Sequence, residues 1–183
     1  MKNIFFLCLM LASVAVQAQQ INNNWNNELN KSLGSFADCS GQVGSTECLS
    51  YAGASLKTVY QLDDFYSESL GRYLLINEIY DLLEKNENWK LLGKGYEQEA
   101  LTACQELANQ NKAVVAVMKG EEYGHMALIL PGDLKYSGTW NLNVPNSASF
   151  FTHQVDDSFV GKKLSYAFTP RDMGYVKLYA RQY

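Results

Sequence analysis

The apolar residues of this chain change their spacing near position 110, and that switch restricts the fold more than any other feature. Upstream, Leu49, Ala52, Leu56 and Val59 recur three or four residues apart, the period of a helix with one buried face. The pattern returns in Leu70, Leu74, Leu75, Ile79, Leu82 and Leu83, and again in Ala100, Ala103, Cys104 and Leu107. It predicts one helix opening at Cys48, a second over 67–85 and a third over 96–109. Downstream the apolar runs shorten to strand length. Residues 113–118 and 125–130 read as strands, the second closed by the turn Pro131-Gly132-Asp133. Residues 140–144 and 147–151 read as extended, and 164–169 and 175–181 supply late strands. Helices followed by antiparallel strands predict an α+β domain, with N-terminal helices packed on a small antiparallel sheet. Residues 19–35, rich in Asn and Gln, read as a polar lead-in docked by Trp25 and Leu29, and 36–47 as a loop.

The first residues address the compartment. Lys2 gives a positive start, residues 4–16 are apolar, and Val16-Gln17-Ala18 offers a cleavage site. This predicts a secretory signal peptide over 1–18 and a single domain over 19–183. The mature protein is expected to be secreted or periplasmic, with no membrane span, because no later stretch reaches the ~20 apolar residues of a transmembrane helix. A net charge of -4 and the lack of a Lys/Arg run exclude nucleic acid as the main partner.

Cysteines then become informative. The mature chain keeps Cys39, Cys48 and Cys104. An odd count in an exported protein leaves one thiol unpaired or bonded to another molecule. One disulfide and one working thiol fit that count.

A cysteine hydrolase needs a thiolate, an imidazole and a polar group that orients the imidazole. Cys48 is the mature cysteine expected at a helix start, where the helix end favours a thiolate. Cys104 reads as structural, and Cys39 lies in a loop. Of the two histidines, His125 opens a strand just after Gly124, and His153 sits in a polar loop expected at the surface. Two distant histidines with no Cys pair at ligand spacing predict no metal site. If the 125–130 and 140–147 strands form a hairpin, the position opposite His125 falls near Val144. That makes Asn146 the candidate third residue, with Asn143 as the alternative; Pro145 would mark an edge or bulge beside it. The backbone N–H of Cys48 and the side chain of Gln42 are candidate oxyanion donors. Tyr51, Tyr123, Tyr136 and Trp140 are candidate cleft-lining aromatics.

The order of these pieces resembles the papain-like peptidoglycan hydrolases of the CHAP (cysteine, histidine-dependent amidohydrolase/peptidase) and NlpC type. The pieces are Cys48-Leu49-Ser50-Tyr51-Ala52, Leu107-Ala108-Asn109-Gln110, Ala113-Val114-Val115-Ala116-Val117 and the run from Gly124-His125 to Pro131-Gly132. The resemblance spans residues 36–151. It implies a papain-like fold with a cleft between the Cys-bearing helix and the sheet. It also implies a cysteine amidohydrolase or peptidase that cleaves amide or peptide bonds of peptidoglycan, with the stem peptide as partner and no cofactor. In that chemistry His125 takes the proton of Cys48, the thiolate forms a thioester acyl-enzyme, and Asn146 orients the imidazole. NlpC-type members usually carry a second His as third residue; the Asn here suits the CHAP side. The helical insertion between Cys48 and the sheet is long for the family.

Two rivals stand beside this reading. One is a secreted papain-like protease acting on proteins with the same residues. The other is a non-catalytic exported binding module in which Cys48 is held in a disulfide with Cys39 or Cys104. The redox state of Cys48 separates the last from the hydrolases.

Overall fold

The computed structural model describes residues 20–39 and 45–183. Helix α1 spans Trp25–Ala37, α2 Thr46–Leu49, α3 Tyr51–Tyr60, α4 Ile76–Leu83 and α5 Gln98–Asn109. The strands are β1 Tyr66–Ser67, β2 Arg72–Tyr73, β3 Trp89–Lys94, β4 Val114–Met118, β5 His125–Ile129, β6 Lys135–Ser137, β7 Leu142–Val144, β8 Asn146–Ser149, β9 Phe159–Lys163 and β10 Lys177–Arg181. Six of them form one sheet in the order β3-β10-β4-β5-β8-β9, every neighbouring pair antiparallel. The α+β architecture is therefore as expected, with N-terminal helices followed by an antiparallel sheet.

The polar lead-in is a helix. Leu29, Leu33 and Phe36 fall on one face of α1, where Leu29 and Phe36 are fully buried and Leu33 packs against the core. The intervening Asn residues cover the outer face, so composition masks an amphipathic period. The predicted 67–85 helix is shorter than its apolar spacing implies. Gly71, at φ +63°, turns the chain into the β1–β2 ribbon, and α4 begins only at Ile76. Glu78 fixes that start: its carboxylate accepts the Leu75 backbone N–H at 2.7 Å and pairs with Arg72 at 2.7 and 2.9 Å. This arrangement satisfies an N-terminal amide that the helix itself cannot.

Alternating side chains divide the core between the two faces of the sheet. Val115, Val117, Met126, Leu128, Leu130, Ala148 and Phe150 pack with α1, α3 and α4. Val114, Ala116, Ala127, Ile129, Leu178 and Ala180 pack with α5 on the other face. Tyr60, fully buried, donates its hydroxyl proton to the Ile129 carbonyl at 2.7 Å and ties α3 to β5.

The hairpin expected between 125–130 and 140–147 does not form. Residues 135–144 pair among themselves as β6–β7, and β5 pairs with β8 in the register Ala127↔Ser149 and Ile129↔Ser147. Pro145, which has no N–H to give a ladder, separates β7 from β8. Extending that register puts Phe151, not Val144, opposite His125. Residues 164–169, expected as a strand, open with a short 3-10 turn over Leu164–Tyr166. Strand β3 lies in a stretch, 89–94, for which the sequence pattern predicts no element. Among the described residues no helix is long and apolar enough to cross a membrane. The predicted leader over 1–18 lies outside the described residues.

Candidate functional site

Cys48 has no free thiol. It is bonded to Cys39, with the Cα atoms 5.7 Å apart, and is 4% exposed. It lies inside the four-residue α2, whose C-cap Ser50 is also the N-cap of α3, so the helix-start position is met only approximately. The one free cysteine among the described residues is Cys104, buried on α5; burial pushes its thiol up to about 12. At neutral pH that thiol is protonated and unreactive.

His125 belongs to the opposite face. Its neighbours Met126 and Leu128 point at α1, α3 and α4, whereas His125 shares parity with Ala127 and Ile129, toward α5. Its ring lies 4.3 Å from that of Phe151 and 5.1 Å, edge-on, from that of Phe168. Cys48 packs in the core cluster of the other face. The structure thus does not bring the Cys48 and His125 side chains together.

Neither proposed Asn reaches the imidazole. Asn146 sits at the far end of β5: it accepts the Leu130 N–H through its carbonyl and donates its side-chain amide to the Pro131 carbonyl at 2.9 Å. Five residues of strand separate that position from His125, about 16 Å. Its backbone N–H goes to Gln105 Oε1 at 2.8 Å. Asn143 is held through its backbone by Gln98 of α5, with its N–H on Oε1 at 2.8 Å and its carbonyl on Nε2 at 2.9 Å. Gln42, the other oxyanion candidate, lies outside the described residues.

The group that orients His125 is Ser149, a residue the sequence reading missed. Its Oγ lies 2.8 Å from His125 Nε2 and 2.9 Å from the Met126 carbonyl. The single hydroxyl proton goes to that carbonyl, which can only accept. Oγ therefore accepts from His125, which fixes the Nε2–H tautomer and leaves Nδ1 as a lone-pair acceptor. Burial lowers the imidazole pKa to about 4, opposed in part by the Asp172 carboxylate. Ser149 is 1% exposed beneath the ring, so it serves as a support and has no opening through which to attack a substrate. The signal for it was the alternation Ser147-Ala148-Ser149 on a strand, legible only once the β5–β8 register is known.

The aromatic candidates divide. Trp140 is 5% exposed, a core residue whose indole N–H donates to the Phe168 carbonyl at 3.2 Å; it backs the cleft and cannot touch a ligand. Tyr51 packs at 5.2 Å from Phe36 and 6.0 Å from Phe150, on the Cys48 face. Tyr136 is exposed on β6. Tyr123 does line an opening, with its ring 5.1 Å from that of His153, which is exposed as expected.

That opening is a cleft of about 290 Å³ floored by Met118, His125, Phe151 and Phe168 and edged by Thr152 and Asp172. A second, apolar pocket of about 110 Å³, bordered by Leu49, Leu75 and Ile76, adjoins it through Tyr123, Gly124 and Thr152. Gly124 makes this wall possible. A Cβ there would stand 2.6 Å from both the Met118 carbonyl and Asn77 Oδ1, and 2.8 Å from Ile76 Cγ2. Asn77 in turn holds the 119–124 loop, donating to the Gly120 carbonyl at 3.1 Å and accepting the Gly120 N–H at 3.1 Å. Gly124→Ala is expected to cost roughly 1–3 kcal/mol through overpacking. Gly138→Ala, with nothing within 4 Å of its Cβ, is the control in the same thermal melts; equal shifts would remove the packing argument.

Among the described residues no group of three or more His, Cys, Asp or Glu side chains is arranged to hold a metal ion. The Cys39–Cys48 disulfide fits an extracytoplasmic protein, since such bonds persist in oxidising compartments. No protein-family model matches the chain, and no curated protein matches it at a significant level.

Proposed function

We propose that the protein is an exported binding module whose ligand site is the cleft around His125. The observation that carries this reading is the state of Cys48. The sulfur that a thiol hydrolase would use is consumed by Cys39 and packs on the face of the sheet opposite the imidazole. The cleft holds an oriented, neutral imidazole, three aromatic rings and a carboxylate, with Thr152, His153 and Gln154 also on its lining. This is an apolar pocket with a few convergent polar groups, the usual form of a small-ligand site. The stem peptide of peptidoglycan, implied by the sequence resemblance, is the first ligand to try.

The amidohydrolase reading keeps one observation in its favour. Leu49, next to Cys48, borders the pocket that shares Tyr123, Gly124 and Thr152 with the His125 cleft. Catalysis there requires reduction of the disulfide and a rearrangement that carries the two side chains to one side. The experiment that separates the readings is incubation of purified peptidoglycan with wild-type protein and with Cys48→Ala, each with and without reductant. Products are read by mass spectrometry and binding by sedimentation. The binding module retains wall fragments and releases no products in any condition. Products from the wild type that vanish in Cys48→Ala would overturn it in favour of the hydrolase.

A further inference from the structure

Two polar groups of the His125 cleft, the imidazole and the Asp172 carboxylate, share one character. The imidazole offers Nδ1, an acceptor with no hydrogen-bond partner among the described residues, because Nε2–H is committed to Ser149. Asp172 uses Oδ2 for the Thr169 N–H at 2.8 Å and the Thr169 hydroxyl at 2.7 Å. Its Oδ1 has no hydrogen-bond partner among the described residues, and the residue lines the cleft. No Lys or Arg is among the residues that line it, and the rings of Phe151 and Phe168 flank the imidazole. Beside the neutral polar groups of Tyr123, Thr152, His153 and Gln154, the site therefore presents two acceptors without partners among the described residues, one fixed negative charge and aromatic rings, with no Lys or Arg to meet them.

We propose that this cleft binds a primary ammonium group carried by a peptide. The statement rests on the binding-module reading and adds the ligand's chemistry to it. A cation entering a half-buried apolar site needs a counter-charge and hydrogen-bond acceptors to offset its desolvation. Asp172 supplies the charge, His125 Nδ1 a second acceptor, and the rings a cation–π contribution. A carboxylate or phosphate ligand would meet repulsion from Asp172 and no Lys or Arg to offset it. A neutral apolar ligand would leave Nδ1 and Oδ1 without partners on binding, which is costly.

The test uses the full mature protein and two probes, the dipeptide Ala-Lys blocked at both termini and the same peptide acetylated at the lysine Nε. Affinities are measured by calorimetry for wild type, Asp172→Asn and His125→Gln. Asn retains an oxygen for the Thr169 contacts, so its thermal melt is expected to match the wild type while the charge is gone. The free amine is expected to bind at least roughly tenfold more tightly than the acetylated form, as loss of a charge-assisted hydrogen bond implies. That ratio should collapse toward one in Asp172→Asn. Equal affinity of the two probes for the wild type, or no binding of either, overturns the inference. If wall fragments are still retained in that case, the binding-module reading stands without it; if wall fragments are instead cleaved, that reading falls separately.

Discussion

Removing the disulfide with the double substitution Cys39→Ala/Cys48→Ala is expected to lower stability by about 2.5 kcal/mol, as loop-closure entropy predicts for so short a loop. The two cysteines are 9 residues apart in sequence, so the bond restrains a modest loop in the unfolded chain. It also fixes the end of α1 next to α2. There Phe36 packs edge-on to Phe150 at 5.3 Å and against Tyr51, linking the first helix to the sheet. Wild-type protein in reductant should fall to nearly the same melting temperature as the double variant. Cys104 does not confuse the comparison, because its thiol is buried and held at about 12, and it is the one free cysteine among the described residues. Ligand retention by the cleft should survive both treatments, since the cleft lies on the α5 face. Two reactive thiols at 39 and 48 in the native protein, or an unchanged melting temperature in the double variant, would count against the bond. A gain of wall-cleaving activity on reduction would show that it guards a nucleophile.

How far the sequence carried the reading depends on which interactions are local. The turn at Pro131-Gly132, the β4 and β5 runs and the α5 stripe are all set by short-range pattern, and they appear where expected. Leu29 and Phe36 were harder to see as helix, because Asn-rich surface positions dilute the period of α1. The site failed at a longer range. Whether His125 faces Cys48 or α5 is decided by one residue of parity on a strand, and a shift of one position moves a side chain to the other face of the sheet. The register of β5 against β8 depends on β6–β7 forming its own ribbon and on Pro145 ending it, so counting from the turn assigned Val144 and Asn146 to positions that Phe151 and Ser149 occupy. Three cysteines downstream of the predicted leader imply one bond and one free thiol. Which cysteines pair is not legible there, because pairing depends on where α1 lays Cys39, and the Asn-rich surface of α1 hides that helix in the sequence.

His125 makes the cleft sensitive to acid in a defined window. Its pKa falls to about 4 in the folded protein because burial beside Phe151 and Phe168 penalises the imidazolium, while Asp172 recovers part of that loss. In the unfolded chain the value is 6.5. The unfolded state therefore binds the proton first, and stability rises with pH between the two values. The contribution is complete above pH 6.5 and is lost as pH falls toward 4, at about 1.4 kcal/mol per unit and about 3 kcal/mol in all. Other groups act lower. The Arg72 pair holds Glu78 below its ordinary 4.5, and Tyr179 and Lys177 do the same for Glu84. Both support the fold above 4.5 and withdraw that support only beneath it. Between pH 6.5 and 4.5 the slope should therefore be dominated by His125. Gln at this position keeps a donor for Ser149 and an acceptor for the cleft but carries no titrating proton. Denaturant melts across that range are expected to show a falling midpoint for the wild type and a nearly flat one for His125→Gln. Parallel slopes in the two proteins would mean that His125 titrates freely, and the buried, Ser149-oriented imidazole on which the cleft is built would have to be abandoned.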